Sequence, residues 1–192
     1  MAATEPAVCI RIEIVPADNP SKAIHNDDDA GISFRAATLA DAREMWQLVR
    51  DSGVLDENSL YCYLLLCRDF GQTCVVACRG ATIVGFVTAY RPPTHSDTVF
   101  VWQIGVAEAA RGQGLAKRLL RTLVSLPACN DVRFLEATVT PSNTASRRLF
   151  QSFAKSLDVP CVVAEGFTAE AFGGGDHEAE DLFRIGPFTN LT

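Results

Sequence analysis

The glycine-containing segment from Arg111 to Ala116 constrains the fold of this chain more than any other stretch. It follows an apolar, strand-like run over residues 99–106 and precedes leucines with helical spacing. A strand, a glycine turn and a helix start leave backbone N–H groups pointing one way, where the helix dipole favours negative charge. Gly112 and Gly114 also let a phosphate approach the backbone closely. The segment therefore predicts a pyrophosphate-binding loop, with an ordinary strand-to-helix turn as the alternative.

This segment differs from two well-known phosphate-binding loops. It lacks the G-x-x-x-x-G-K-[ST] pattern of a Walker loop, and Lys117 stands where the dinucleotide fingerprint has a third glycine. It does resemble the Q/R-x-x-G-x-G/A motif of the GNAT acetyltransferases, which holds the pyrophosphate of acetyl-CoA. On this resemblance, the cofactor-binding residues of the segment are Arg111, Gly112, Gln113, Gly114 and Ala116.

The composition limits the class of protein. The 192 residues suit one domain with tails, and 48% hydrophobic and 21% charged residues are values of a globular protein. A net charge of −6 argues against a nucleic-acid partner and suits a small cationic substrate. The sequence has neither a run of transmembrane length nor a signal-peptide pattern, so we expect no membrane association and a cytoplasmic location.

The seven cysteines lack the spacing of a metal site or of a disulfide framework. No pair shows C-x-x-C spacing, no histidine lies nearby at ligand spacing, and the count is odd. Most of them lie among apolar residues, as reduced core cysteines do. We therefore expect thiols in the core and no bound metal.

The order of the predicted elements indicates an α+β fold. Residues 1–30 are poorly patterned and are expected to form a flexible extension, followed by one domain over 31–192. Hydrophobic periodicity in that domain predicts a strand, two helices, three strands, a helix, a strand, a helix and two strands. An early antiparallel hairpin and a later strand–helix–strand crossover predict a mixed central sheet with helices on both faces. This order is similar to that of the GNAT fold.

Local patterns predict how three of the helices begin or pack. Thr38 and Asp41 resemble a capping box in which Asp takes the Glu position. The helix over residues 60–67 is apolar on nearly all sides, so it is expected to be well buried. Ser142 is the expected N-cap of the last helix.

The chain from about Phe34 to Phe188 closely resembles the diaminobutyrate acetyltransferases of ectoine synthesis. Three specific blocks carry this resemblance, namely Asn58-Ser59-Leu60-Tyr61-Cys62-Tyr63, Tyr90-Arg91-Pro92-Pro93 and Thr140-Pro141-Ser142-Asn143. The resemblance implies a GNAT fold, a homodimer, and transfer of an acetyl group from acetyl-CoA to the γ-amine of L-2,4-diaminobutyrate. The product of that reaction is the direct precursor of ectoine, a compatible solute.

The resemblance also implies where the thioester binds. Acetyl transfer requires preorganised donors for the developing oxyanion, and the GNAT fold supplies backbone N–H groups from a bulged central strand. Here these would be Ile104 and Val106, and Gly105 between them fits a bulge or a close backbone approach. Asn143 and Ser146 match the helix start that contacts CoA in that superfamily, although Asn143 is otherwise an ordinary helix-cap residue.

The acceptor is expected to bind far from the glycine segment. By resemblance, the substrate-binding residues are Asp56, Tyr61, Trp102, Gln103, His177 and Glu180. Glu180 is the preferred candidate for the catalytic base, with Asp56 as the second. Each has a structural alternative: Asp56 as a first-turn carboxylate, Tyr61 and Trp102 as core aromatics, and residues 177–180 as a solvated acidic turn. A zinc motif over 177–180 is weak, because a strand follows it and its last histidine is absent.

One position departs from the GNAT pattern. Many of those enzymes carry a tyrosine seven residues after the asparagine that corresponds to Asn143, and it is thought to protonate the leaving thiolate. Phe150 stands there in this chain and has no proton to give. Water, Ser146 or the helix dipole are the alternatives, since a thiolate is a good leaving group near neutral pH.

Two other functions stay open on the sequence alone. One is acetylation of a different small diamine or amino-acid amine by the same fold. The other is a non-catalytic module that only binds CoA. The intact segment from Arg111 to Ala116 and the presence of Asn143 argue against the second.

Overall fold

The structure is a computed structural model that describes residues 25–27, 31–53, 55, 57–173 and 177–189. Most of the predicted extension over residues 1–30 and the predicted site residue Asp56 lie outside these ranges. None of the helices within the described ranges is long and apolar enough to cross a membrane.

Within these ranges, four α-helices and eight β-strands follow the predicted order with one addition. The helices are α1 (Ala42–Ser52), α2 (Leu60–Asp69), α3 (Leu115–Val124) and α4 (Thr144–Ser156). The strands are β1 (His25–Asp27), β2 (Ile32–Ala36), β3 (Val75–Arg79), β4 (Thr82–Tyr90), β5 (Thr98–Val106), β6 (Phe134–Val139), β7 (Cys161–Phe167) and β8 (Glu180–Ile185). The addition is β1, which falls in the predicted extension and pairs antiparallel with β2.

The described strands form one mixed sheet in the order β1-β2-β3-β4-β5-β6-β8-β7. All neighbouring strands are antiparallel except β5 and β6, which are parallel and are connected through α3. These two strands pair only from Thr98↔Phe134 to Phe100↔Glu136, near where each begins. Beyond that point they run on without pairing, so a gap opens in the middle of the sheet.

Helices cover both faces of the sheet, as the sequence predicted. Helices α3 and α4 pack on one face, where Leu119, Leu120, Phe150 and Phe153 join the larger apolar core. Helices α1 and α2 cover the other face over β3 to β5 and form a second, smaller core. The α+β architecture with helices on both faces is therefore confirmed.

Asp41 fixes the start of α1 against β2. It is buried, and its carboxylate accepts hydrogen bonds from Thr38 N at 2.7 Å and from the Arg35 guanidinium at 2.6 and 2.7 Å. Burial opposes the charged form, but the hydrogen bonds from Arg35 and Thr38 outweigh it, so the pKa of Asp41 is lowered. The predicted capping box is present, with Asp41 in the Glu position.

Helix α2 is less buried than its composition predicted. Tyr63, Leu66 and Cys67 share one buried face, whereas Tyr61 on the opposite side is 67% exposed. The expectation that this helix is well buried therefore holds for one of its faces only. The physical reason is that α2 packs on only one side, against α1 and the sheet, so its outer apolar residues meet solvent.

The cysteines within the described residues are unpaired thiols, as expected. Burial is the main cause that raises the pKa of Cys67 to about 12, and it raises the pKa of Cys74 to about 11. A thiol that stays protonated at neutral pH is a poor nucleophile. Neither of these core cysteines is therefore suited to nucleophilic catalysis.

Candidate active site

A cleft of about 430 Å³ lies where β5 and β6 separate. Its walls come from both strands, from the start of α4, from the segment before α2 and from the start of β8. The predicted site residues that line it are Trp102, Gln103, Ile104, Asn143, Ser146 and Glu180. Residues from distant parts of the sequence thus meet at one opening in the sheet.

The second half of β5 presents backbone N–H groups to this gap. Ala107 N donates to Val84 O at 2.9 Å, so this pair is hydrogen-bonded, and in an antiparallel ladder bonded and non-bonded pairs alternate. By this alternation, the pairs Val106↔Gly85 and Ile104↔Val87 are non-bonded pairs. The N–H groups of Ile104 and Val106 therefore point away from β4 and toward the gap, which is the orientation that an oxyanion donor requires.

The bulge in β5 lies at Trp102 and not at Gly105. Two successive residues of β4 pair with Gln103 and Val101, which leaves Trp102 as the extra residue. Trp102 is 43% exposed and lines the cleft, so it is not a core aromatic. Gly105 serves the alternative purpose of close approach, because a Cβ there would lie 2.7 Å from the ring of Phe86.

Gln103 is held in place by Tyr63 of α2, which no sequence motif identified as a site residue. The Tyr63 hydroxyl donates to Gln103 Oε1 at 2.6 Å. Burial raises the pKa of Tyr63 to about 12, although hydrogen bonds with Asn58 and Gln103 oppose the rise. The phenol thus stays protonated at neutral pH and acts as a hydrogen-bond donor to Gln103.

Tyr61 does not line the cleft in a single chain, although it was predicted as a substrate-binding residue. The helical period distinguishes the two tyrosines. Tyr63 shares a face with Leu66 and Cys67, whereas Tyr61 shares the outer face with Arg68. Because every residue of α2 from Leu60 to Cys67 is apolar or aromatic, the hydrophobic pattern did not show which face is buried.

The start of α4 forms one wall of the cleft. Asn143, and not Ser142, is the N-cap, and its side-chain Oδ1 accepts a hydrogen bond from Ser146 N at 3.0 Å. Phe150, one turn after Ser146, is 3% exposed and packs on Phe183 with ring centroids 6.0 Å apart. The cleft therefore meets an apolar ring where many GNAT enzymes have a phenol.

The segment from Arg111 to Ala116 forms an exposed turn that ends at α3. Gly112 and Gly114 have φ angles of +75° and +70°, a region that only glycine adopts at low cost, and Gly114 is the N-cap of α3. No atom lies within 4 Å of a Cβ added at either glycine. The open space over these glycines matches the close approach that a phosphate group would need.

Several groups of this segment are held in place or directed outward. Arg111 Nε donates to Val106 O at 3.2 Å, and Gln113 Nε2 donates to Ala109 O at 3.4 Å. The first helical bonds to Gly114 O come from residues 117 and 118, so the N–H groups that precede them have no partner inside the helix. Val106 and Arg111 also border a second cavity of about 400 Å³ beside α1.

The start of β8 brings Glu180 to the cleft. The strand begins at Glu180, two residues before the apolar residues Leu182 and Phe183. His177 does not line the cleft; its ring stacks on Phe172 at 3.9 Å, and its Nδ1 lies 2.7 Å from Glu178 O. In the part of the chain that the structure describes, no group of three or more His, Cys, Asp or Glu side chains is arranged to hold a metal ion.

Glu136 of β6 is a further carboxylate near the gap, and it is paired with Arg184 of the neighbouring strand β8. The Arg184 guanidinium also lies 3.7 Å from the centroid of the Phe134 ring. Because this carboxylate already has a cationic partner, Glu180 is the better candidate for a base.

Comparison with known proteins places these features in a family. The Acetyltransferase (GNAT) family matches residues 38–154. The L-2,4-diaminobutyric acid acetyltransferase of Halalkalibacterium halodurans is 50% identical over 159 residues, which are 83% of this chain and 84% of that protein. The protein of the same name from Marinococcus halophilus is 49% identical over 82% of this chain and 91% of its own length.

Solved structures show the same similarity. The diaminobutyrate acetyltransferase EctA from Paenibacillus lautus, in complex with its substrate L-2,4-diaminobutyric acid and coenzyme A, superposes with a TM-score of 0.78 at 48% identity. The match covers 83% of this chain and 96% of that chain. A chain of the NatC complex bound to Gag peptide and CoA matches with a TM-score of 0.65 at 14% identity, over 82% and 99% of the two chains, and supports the fold alone.

Replacing Gly114 with alanine is expected to weaken coenzyme A binding about tenfold or more, because a methyl group would strain the positive φ and fill the space over the turn. Isothermal titration with coenzyme A measures the affinity. Gly80→Ala is the matched control, since Gly80 also has a positive φ (+61°) and open space but lies in the β3–β4 turn. Equal affinity of both variants for coenzyme A would contradict the assignment.

Proposed function

The chain belongs to the GNAT acetyltransferases, and within them to the L-2,4-diaminobutyric acid acetyltransferases, and we propose that it transfers the acetyl group of acetyl-CoA to the γ-amine of L-2,4-diaminobutyrate. The products are γ-N-acetyl-2,4-diaminobutyrate and CoA, in a step of ectoine synthesis. The observation that carries this function is the agreement at about half of all positions, over four fifths of the chain, with enzymes of that name.

The thioester half of the reaction is assigned to the gap between β5 and β6. The pyrophosphate of acetyl-CoA binds at the turn from Arg111 to Ala116, and the pantetheine arm enters the gap toward Asn143 and Ser146. The inward N–H groups of Ile104 and Val106 support this placement, because they supply donors where a thioester carbonyl would lie.

The acceptor half is assigned to the same gap from its other side. Trp102, Gln103 and Glu180 line the cleft, and we assign them as contacts of the diamine. An aromatic ring at a bulge, an amide and a carboxylate at one opening suit this ligand. His177 and Asp56 are assigned to the same half on family resemblance. The ring of His177 stacks on Phe172, a residue of the cleft wall, and this neighbourhood supports the assignment of His177.

The chemistry proceeds by direct transfer with both ligands bound. The γ-ammonium group loses a proton to Glu180, and the nitrogen lone pair then attacks the thioester carbonyl carbon. The negative charge that develops on the carbonyl oxygen is stabilised by the N–H of Ile104. The nitrogen of the tetrahedral intermediate loses its second proton to solvent. The carbonyl then re-forms and the C–S bond breaks, with the electron pair of that bond staying on sulfur. Phe150 supplies no proton, so CoA leaves as a thiolate and is protonated by solvent, consistent with a thiol pKa near 8.5.

Assays with a panel of amines distinguish this function from acetylation of a different amine and from CoA binding without catalysis. With acetyl-CoA saturating, kcat/KM for L-2,4-diaminobutyrate is expected to exceed that for ornithine, lysine and putrescine by about a hundredfold, because an added methylene or a missing carboxylate misplaces the amine. Thiol release measures the rate, and NMR of the product identifies the acetylated nitrogen. Comparable rates on polyamines would contradict the substrate assignment. Binding of CoA without turnover of any amine would support a non-catalytic module.

Replacing Glu180 with glutamine is expected to lower kcat for diaminobutyrate about a hundredfold, because the amide cannot accept the ammonium proton. The KM for acetyl-CoA should change little. Glu170→Gln, in the exposed turn before β8, is the control and should keep normal rates. Near-normal turnover of the Glu180 variant across pH would show that another group is the base.

A homodimer formed through β7 is part of this proposal. In the described part of the chain β7 is an edge strand, and it carries exposed apolar side chains at Val162 (57%), Val163 (41%) and Phe167 (51%). An apolar edge strand that stayed uncovered would promote unspecific association, so a partner copy is its natural cover. Sedimentation equilibrium of the wild-type protein is expected to give the mass of two chains. Replacing both Val162 and Val163 with lysine is expected to give the mass of one chain. A monomeric wild-type protein would contradict the dimer.

We also place the protein in the cytoplasm. The unpaired thiols of the described cysteines support this location, since reducing compartments keep cysteines in that state. Acetyl-CoA, the proposed donor, is a metabolite of the same compartment.

A further inference from the structure

Two contacts join the start of α4 to the segment that leads into β8. The Arg147 guanidinium donates to Asp181 Oδ2 at 2.6 Å, and the backbone N–H of Ser142 donates to Glu178 Oε2 at 3.2 Å. The helix that carries the proposed CoA contacts Asn143 and Ser146 is thereby tied to the residues that flank Glu180. The proposed reaction uses neither Arg147 nor Asp181 directly.

The alternation of side chains along β8 makes the Asp181 contact relevant to Glu180. Successive residues of a strand point to opposite faces of the sheet. Asp181 and Phe183 face α4, where Phe183 is fully buried and lies 5.1 Å from the Arg147 guanidinium. Glu180 therefore points to the other face, toward the acceptor side of the cleft. A rotation of the strand that moved Asp181 away from α4 would turn Glu180 out of the cleft as well.

The end of the strand ladder gives Glu180 little other support. Asp181 is the first residue of β8 that pairs with β6, opposite Val139, and Glu180 pairs only with Phe167 of β7, past a register shift. Strand ends of this kind open more readily than strand centres. The side chain of Asp181 thus anchors the last fully paired position before the proposed base.

The exposure of the ion pair argues that its main effect is on orientation. The Arg147 and Asp181 side chains are 25% and 34% exposed, and pairs of this exposure contribute little to global stability. The guanidinium is nevertheless held between a carboxylate and an aromatic ring, which restricts its rotation. The ion pair therefore fixes the orientation of the two side chains although it contributes little to the stability of the fold.

We propose that Arg147 and Asp181 are positioning residues of the acetyl transfer. Their ion pair holds the start of β8 so that the Glu180 carboxylate faces the acceptor amine, and it aligns that carboxylate with the helix that binds the thioester. Glu178 gives a second, weaker tether to the same helix through Ser142 N. This inference rests on the proposed function and on Glu180 as the base.

The test compares Arg147→Met with Arg148→Met, an exposed arginine at the next position of the same helix. The Arg147 variant is expected to lower kcat/KM for diaminobutyrate about tenfold, while the KM for acetyl-CoA and the thermal midpoint stay within experimental scatter of the wild type. The kcat/KM of Arg147→Lys should lie between those of Arg147→Met and the wild type, because lysine keeps the charge without the planar fork of the guanidinium. The control should match the wild type in all three quantities.

A charge exchange separates positioning from packing. The double variant R147D/D181R restores an ion pair with reversed direction and is expected to regain at least a third of the wild-type kcat/KM, whereas Asp181→Asn alone is expected to lose about tenfold. Unchanged kcat/KM in Arg147→Met, or an equal rise in the KM values of both substrates, would overturn the inference. So would a loss in Arg147→Met that follows a fall in thermal midpoint and is not restored by the exchange.

The same assays distinguish the two levels of the proposal. A wild-type protein without activity on diaminobutyrate would overturn the proposed function and this inference together. A fully active wild type with an unaffected Arg147→Met variant would overturn the inference alone.

Discussion

The short parallel pairing between β5 and β6 is the constraint on which the rest of this structure depends. The two strands share hydrogen bonds over only three residue pairs, while antiparallel ladders continue on their outer sides. A central strand in a sheet normally uses its backbone groups on both sides. Here the N–H groups of Ile104 and Val106 are turned toward a gap, where a ligand could take the place of the missing strand contacts. In the proposed reaction these backbone groups are the donors to the thioester, so that role needs no side chain.

Different elements around the gap contribute different parts of the proposed site. The turn before α3 offers an anion site at a helix start, and α4 forms a wall with Asn143 and Ser146. From the other side β8 contributes Glu180, while β5 contributes Trp102 through a bulge. In the proposed reaction both substrates therefore bind at the same opening, which brings the reacting nitrogen close to the carbonyl carbon. The Arg147–Asp181 contact then joins the two halves directly.

Much of this architecture was predictable from sequence, because periodicity and glycine placement are local signals. The order of the helices and strands and the mixed sheet followed from them, as did the exposed glycine turn at α3. The features that the sequence did not show are those that depend on partners distant in sequence. Only the β4 register shows that the bulge is at Trp102, and only the packing of α2 shows that Tyr63 rather than Tyr61 reaches Gln103. The N-cap fell on Asn143 rather than Ser142, because two adjacent residues had nearly equal propensity.

A crystal structure of the ternary complex with CoA and L-2,4-diaminobutyrate would show whether both substrates bind in the gap between β5 and β6. We expect the pyrophosphate over Gly112 and Gly114, the sulfur between the two strands, and the γ-amine within about 3 Å of the Glu180 carboxylate. An amine that faces a different carboxylate, or a pantetheine arm that runs outside the gap between β5 and β6, would contradict this expectation.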